Sequence, residues 1–372
     1  MGSVYFFLNF VPQVEDMAHK NRLSVLFCFC SFILLSGCQH KHVQINAVCD
    51  LMPNGTFFIK WETFPPLKGT VKAYESNNPD SFDAKLPVFE QVIDAGYKSV
   101  LAQSNNRSYF KLVFNNKDQI VVAERSLPMQ GILNFRDLGG YHTKDKRQIR
   151  WGKIYHSSSL SETTAYDCSV LNSMGIETVM DFRTEREREL ALNHFQAAQI
   201  YNLPLRGNRH DVYFDEILSH RIRANEILSY DQNLFTFLWE NNNDYFIKMF
   251  DILLNAKNYP VILSCYFGKD RSAIASALIL IALGVEKEII IEDFLYYNQI
   301  LDLNRIVKNA GIFNFEIQEA ITALYSVHKE TIENTFDIIK NNYGSIDNYL
   351  EKELHLNAKK REQLQKILLY SD

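Results

Sequence analysis

The sequence predicts an α/β domain, with a central mostly parallel sheet flanked by helices, preceded by a small all-β sandwich. Three observations predict this. Residues 127–372 alternate apolar, β-branched runs with helical stretches, the pattern of a layered α/β fold. Residues 45–126 hold short runs rich in Val, Ile, Phe, Tyr and Thr, separated by turn signals. Between them in character lies "YPVILSCYFGKDRSAIASALILIALG", which reads as a buried strand, a tight loop and a buried helix ended by Gly284.

The chain has 372 residues, enough for two domains, and is 47% hydrophobic and 22% charged, which marks it as globular. Its formal net charge of −5 gives no argument for nucleic acid as a partner. No internal repeat or long low-complexity tract is present.

The first element is a leader, residues 1–37. "MAHKNRLSVLFCFCSFILLSGC" begins at Met17, with Lys20 and Arg22 ahead of an apolar stretch from Leu23 to Leu35. That stretch is short for a bilayer span. Its end, "LSGC" at 35–38, resembles the lipobox of bacterial lipoproteins, in which the chain is cut before a cysteine that then carries lipid. The resemblance implies a lipid-anchored Cys38, a linker over 38–44 and a place in the bacterial cell envelope, facing the periplasm or at the outer membrane. Residues 1–16 read as an extension upstream of the better start at Met17. Of six cysteines, Cys28 and Cys30 would leave with the signal and Cys38 would be lipidated. Cys49, Cys168 and Cys265 remain, an odd number, so at least one thiol is free. A Cys49–Cys168 bridge is one option without support from the spacing. Cys265 is the expected free thiol.

The second element is the β module, residues 45–126. "GTFFIKWETF", "GTVKAYES", "SVLAQ", "RSYFKLVF" and "IVVAERSL" read as its strands. The pattern is similar to immunoglobulin-like or fibronectin type III modules. Trp61 reads as a core anchor. No catalytic constellation falls here, and the module offers a surface for an unidentified partner.

In residues 127–372, "AYDCSVLNSM" reads as a helix, "GIETVMDFR" as the strand after it, and "TFLWENNNDYFIKMFDILLN" as a helix leading to the strand at 261–265. Ligands of such sheets sit outside the carboxyl ends of the strands, and Asp181 and Cys265 both fall at such ends.

The chemistry is concentrated in "SCYFGKDRSA", residues 264–273. Cys265 and Arg271 are separated by five residues. A thiolate is the nucleophilic form, and converging loop N–H groups at a helix N-terminus favour it. The same N–H groups, from Tyr266, Phe267, Gly268 and Lys269 onward, suit phosphoryl oxygens. Gly268 permits the tight turn. Arg271 grips two oxygens with its planar fork. Ser272 is placed to donate a hydrogen bond to the cysteine sulfur. Together they describe phosphoryl transfer through a cysteinyl-phosphate intermediate, with no cofactor. No metal site is expected, since His40, His42, His194, His210 and His220 lack ligand spacing.

This loop resembles the CX5R signature of the protein tyrosine phosphatase superfamily. "NFRDLGGYHTKDKRQIRWGKIYHSSSLSETTAYD", "GIETVMDFRTEREREL", "GVEKEIIIEDFLYYNQIL" and "YGSIDNYLEKEL" are similar, in order, to blocks of a bacterial tyrosine phosphatase family with secreted, lipid-active members. The resemblance spans about residues 128–370. It implies that Cys265 is the nucleophile and Arg271 the phosphate clamp. Lys269 is expected to pair with extra phosphate charge. Asp270 is expected to orient Arg271 or to act as the acid. Asp181 is a second candidate acid, favoured for the proton, or else a partner of Arg183 or Arg271. Asp137 is expected to fix a turn, and Arg136 to hold its segment to the site.

The chain departs from the family in two places. Ser264 stands where the family has a histidine before the cysteine, which removes a group that positions the nucleophile, so lower activity is expected. Ser272 and Ala273 stand where it has threonine and glycine; serine keeps the hydroxyl. Tyr266 and Phe267 are bulkier than usual and are expected to narrow or line the pocket. The implied activity is that of a cysteine-dependent protein-tyrosine phosphatase acting on a phosphorylated protein or small phosphate monoester. The alternatives are a phosphoinositide or sugar-phosphate phosphatase and, in another class, a non-catalytic phosphate-binding lipoprotein.

Overall fold

The structure, a computed structural model, describes residues 43–101, 107–207 and 210–371, the side chains of 210 and 211 excepted. The leader, Cys38 and the linker up to residue 42 lie outside the described residues. Residues Val43–Asp372 form one compact unit.

Among the described residues seven strands come first: β1 (Gln44–Leu51), β2 (Thr56–Phe64), β3 (Thr70–Ser76), β4 (Phe89–Val92), β5 (Tyr97–Leu101), β6 (Tyr109–Phe114) and β7 (Asp118–Ala123). They form two antiparallel sheets, ordered β1-β2-β5 and β4-β3-β6-β7. Strand β2 shows why: Phe57, Ile59 and Trp61 alternate inward with period two. They meet Val71, Ala73, Phe110, Leu112 and Phe114 of the other sheet in one core. Trp61 is the expected anchor, buried, with its Nε1 donating to the Ile93 carbonyl at 2.9 Å. Strands β1 and β4 escape the sequence reading because β1 alternates weakly and β4 has only four residues. Cys49 and Cys168 are both free thiols, so the bridge between them is absent.

The residues that follow contain β8 (Arg136–Asp137), β9 (Ile154–Ser157), α1 (Ala165–Ser173), β10 (Thr178–Asp181), α2 (Glu185–Leu190) and β11 (Gln199–Asn202). Helices α3 (His210–Leu218), α4 (Ala224–Glu240) and α5 (Asn243–Leu253) then precede β12 (Val261–Ser264) and α6 (Arg271–Leu283). Helices α7 (Lys287–Ile300), α8 (Leu303–Ile306), α9 (Phe315–Tyr325), α10 (Lys329–Tyr343), α11 (Ile346–Lys352) and α12 (Ala358–Leu368) come last. The sheet order is β11-β10-β12-β9-β8, parallel throughout except for β8 against β9.

Helix α6 is apolar on almost every side and buried almost throughout, as a central helix must be. Gly284 ends it at φ 90°, in the left-handed region. The single helix expected over 236–255 is two. Asn241 and Asn242 break it, because the Asn242 side chain donates to the Leu238 carbonyl at 2.8 Å and accepts from Arg206 N at 2.7 Å.

The two antiparallel sheets pack directly on the residues that follow them. Trp151 is buried against Tyr109, Val121 and Ala123, and its Nε1 donates to the Val121 carbonyl at 2.8 Å. The Gln148 amide donates to that same carbonyl at 2.8 Å and accepts from Val121 N at 3.2 Å. Arg107 of the module and Asp137 form a buried ion pair at 2.9 Å.

Candidate active site

Cys265 leaves the carboxyl end of β12 and is 2% exposed. In register, Ser264 lies beside Asp181 of β10 and Ser157 of β9. The loop thus stands over the carboxyl ends of parallel strands, where ligand sites of such sheets form.

The loop's shape is dictated by what its carbonyls meet. Gly268 sits at φ +69°, and a Cβ there would lie 2.7 Å from Ser158 N, so two constraints demand glycine. The Tyr266 carbonyl accepts from Ser159 N at 3.1 Å. The Gly268 carbonyl accepts from His156 Nε2 at 2.7 Å and from the Asn134 amide. Both carbonyls therefore face the scaffold. In a trans peptide the N–H points opposite to the C=O, so the N–H groups of Phe267 and Lys269 face the other way, across the loop. That is the arrangement a phosphoryl group needs. Ser264, standing where the family has histidine, donates to the Ser158 carbonyl at 2.9 Å and ties down the base of the loop.

Arg271 opens α6 and is buried. Its two terminal nitrogens donate to Glu187 at 2.7 and 2.8 Å, a bidentate pair. Glu187 stands on α2 in a capping box with Thr184, which places it. Burial pushes the Glu187 carboxyl up, but Arg271 and Thr184 together hold it below its ordinary value. Glu187 thus holds the plane of the Arg271 guanidinium.

The Cys265 sulfur lies 3.2 Å from Ser272 Oγ, as the loop chemistry requires. Ser272 Oγ in turn lies 3.1 Å from His156 Nε2. Lys269 is buried, and its Nζ donates to Asp270 at 2.7 Å and lies 3.6 Å from Asp231 of α4. Burial works against the charged amine, yet the two carboxylates hold its pKa above the usual lysine value. The amine expected to meet extra phosphate charge is thus neutralised from within. Burial raises the Asp231 carboxyl to about 7, with Lys269 opposing and Asp270 adding to the rise.

Asp181 falls at the predicted strand end but is fully buried. It accepts from Arg183 N at 3.0 Å, from Arg183 Nη2 at 2.7 Å and from the Asn193 amide at 3.2 Å. Of the roles open to it, the geometry gives it the bridge to Arg183. Asp137 fixes turns, accepting from Gly139 N and Gly152 N, both at 2.8 Å. Arg136 pairs with Asp293 at 3.1 Å and donates to Asn134 Oδ1 at 2.6 Å, so it holds the segment whose amide reaches the loop. Phe267 packs edge-on against Tyr325 of α9 and against Tyr266, which stays 38% exposed.

Four contributors escape the sequence reading: Glu187, Asn134, His156 and Asp231. Glu187 carried a signal, the Thr-x-x-Glu capping box at 184–187. Asn134 opens the quoted "NFRDLGG". His156 and Asp231 carry no local signal.

Comparison with known proteins agrees with this geometry. The pattern of the family described as "Tyrosine phosphatase family" matches residues 127–370. A Cupriavidus necator protein assigned as a tyrosine-protein phosphatase is 28% identical over 253 residues, covering 64% of this chain and 87% of its own. The triple specificity protein phosphatase PtpB of Mycobacterium tuberculosis is 25% identical over 264 residues, covering 62% and 93%. Among solved structures, the core catalytic domain of the PP-IP phosphatase SIW14 from S. cerevisiae covers 58% of this chain and 94% of its own at 15% identity. The TM-score of that match is 0.26. The family pattern runs from the segment that buttresses the loop to the last helix, and so the chain belongs to the tyrosine phosphatase family and is a cysteine-based phosphatase.

Proposed function

We propose that the chain removes phosphate from phosphotyrosine in proteins, with Cys265 as nucleophile, Arg271 as phosphate clamp and Asp270 as general acid. The observation that carries this is the Cys265–Ser272 contact at 3.2 Å in a loop whose arginine is held by Glu187. The Cys265 thiolate attacks phosphorus, and the P–O bond to the tyrosine breaks. The leaving oxygen takes a proton from Asp270. Water then gives a proton to the Asp270 carboxylate and attacks phosphorus, the S–P bond breaks to release phosphate, and the Ser272 hydroxyl supports the departing thiolate. Loop N–H groups and Arg271 balance the charge on the equatorial oxygens. Both carboxylates have a cationic partner, Arg183 for Asp181 and Lys269 for Asp270, and Asp270 is favoured because it lies within the loop that carries Cys265 and Arg271. The internal pairing of Lys269 speaks against a second phosphate in the pocket, and so against a phosphoinositide or sugar-phosphate substrate.

Cys265→Ser should abolish turnover yet still bind vanadate, since serine keeps the loop but is a far poorer nucleophile. Arg271→Ala should lose both. Full activity in Cys265→Ser would end the proposal.

In the same reading, Cys38 carries lipid and anchors the protein in the bacterial envelope, supported by "LSGC" after a basic, apolar leader. Among the described residues no helix is long and apolar enough to cross a membrane. Cys38→Ala should release the protein from membranes; a soluble wild type with an intact leader would refute the anchor. The β module is proposed as an immunoglobulin- or fibronectin-like sandwich, supported by its two antiparallel sheets over one core.

A further inference from the structure

We propose that His156, fully buried on β9, is a positioning residue that turns the Ser272 hydroxyl toward the Cys265 sulfur. It would supply from a neighbouring strand what the missing histidine at position 264 does not. This rests on Cys265 being the nucleophile.

The argument starts from the partners of one ring. His156 Nε2 lies 2.7 Å from the Gly268 carbonyl, which can only accept. Nε2 must therefore carry the proton. A lone pair there would face the carbonyl lone pairs at contact distance. Burial, reinforced by the Arg136 charge, lowers the ring's pKa to about 3, so the ring is neutral at working pH and Nδ1 is bare. Nδ1 accepts from Ser276 Oγ at 2.9 Å, and that hydroxyl can turn instead to the Ser272 carbonyl at 2.8 Å.

The consequence falls on Ser272. Its Oγ lies 3.1 Å from the same Nε2, whose proton it shares with Gly268 O. A hydroxyl has one hydrogen. With an N–H aimed at its oxygen, Ser272 accepts on that side and sends its own hydrogen to the sulfur 3.2 Å away. A donor fixed on sulfur favours the thiolate, before attack and again when the sulfur leaves phosphorus. The same N–H holds the Gly268 carbonyl against the scaffold, which keeps the Lys269 N–H facing the phosphate side.

The test compares His156→Gln, whose amide can place a donor near the Nε2 position, with His156→Asn, whose shorter amide cannot. Iodoacetamide inactivation of the full chain is followed against pH, with the labelled residue identified by peptide mapping. In His156→Asn the midpoint of Cys265 alkylation should move up by about one pH unit, a tenfold loss of reactive thiolate below the midpoint. kcat should fall about tenfold with KM little changed. His156→Gln should recover most of both. In a Ser272→Ala background, His156→Asn should move the alkylation midpoint no further, because the two act on the sulfur in one chain. An unmoved midpoint in folded His156→Asn, or an effect that adds fully to that of Ser272→Ala, would overturn the proposal. If neither variant folds, nitrogen-15 NMR of the wild type decides: a neutral ring with its proton on Nε2 from pH 5 to 8 supports it, and a proton on Nδ1 refutes it. Inactivation by labelling elsewhere than Cys265 would instead sink the reading of Cys265 as nucleophile, and this inference with it.

Discussion

Arg271 and Glu187 face each other through two nearly equal hydrogen bonds, 2.7 and 2.8 Å, with both side chains buried. The pair fixes the plane of the guanidinium before any phosphate arrives. A preset clamp spends no entropy on ordering at the transition state.

Glu187→Gln should therefore lower kcat/KM about a hundredfold, or ~2.7 kcal/mol in barrier. It also leaves a buried guanidinium uncompensated, which costs about 3–5 kcal/mol of stability. Vanadate supplies the missing negative charge, so it should raise Tm more in the variant than in the wild type. Glu187 is held below its ordinary carboxyl value, so its contribution to stability is present above about 4.5 and lost as pH falls through the folded value. Glutamine should remove that acid-side loss, which urea unfolding at pH 3.5 and pH 6 would register.

Asp270→Asn and Asp181→Asn should part ways. Asp270→Asn should cost little on an aryl phosphate with a good leaving group and at least about tenfold more on phosphotyrosine, because only the poorer leaving group needs a proton. Asp181→Asn should mainly lower stability, by about 3 kcal/mol, by stripping the buried Arg183 of its partner. Leaving-group dependence confined to Asp181→Asn would reverse the assignment.

Asp231 makes the fold sensitive to alkali. Its folded pKa is raised to about 7 from an ordinary 3.8, so its contribution is complete below 3.8 and is lost as pH rises through about 7. Lys269, Asp270 and His328 surround it. The wild type should lose stability between pH 5 and pH 8, and Asp231→Asn should lose less. Equal slopes in urea unfolding would count against this.

The β module should stabilise the catalytic domain. Trp151→Ala should cost about 3–5 kcal/mol, since it empties the contact with Tyr109 and Val121. A chain beginning at residue 127 exposes Trp151 and leaves Asp137 without Arg107. It should melt well below the full chain. Its chemistry should persist at low temperature, because every residue placed in the reaction follows that point. Equal melting temperatures would show that the interface contributes nothing.

By itself the sequence determined the layered α/β order, the strand–loop–helix around Cys265, and the residue types a cysteine phosphatase needs. These are local: periodicity, a glycine in a turn and the Cys–Arg spacing are legible in a window of a few residues. The module's strands were legible for the same reason, except β1 and β4, whose alternation is weak or short. The break between α4 and α5 was not, because Asn242 acts through Arg206, distant in sequence. Only the tertiary structure decided which charge meets which. Asp181 and Asp270 look equivalent as letters, but packing sets the buried Arg183 against one and the buried Lys269 against the other. His156 reaches the loop because β9 pairs with β12, across 112 residues of chain to Gly268. Such partners are set by strand register and packing, so no pattern in one stretch of sequence reports them.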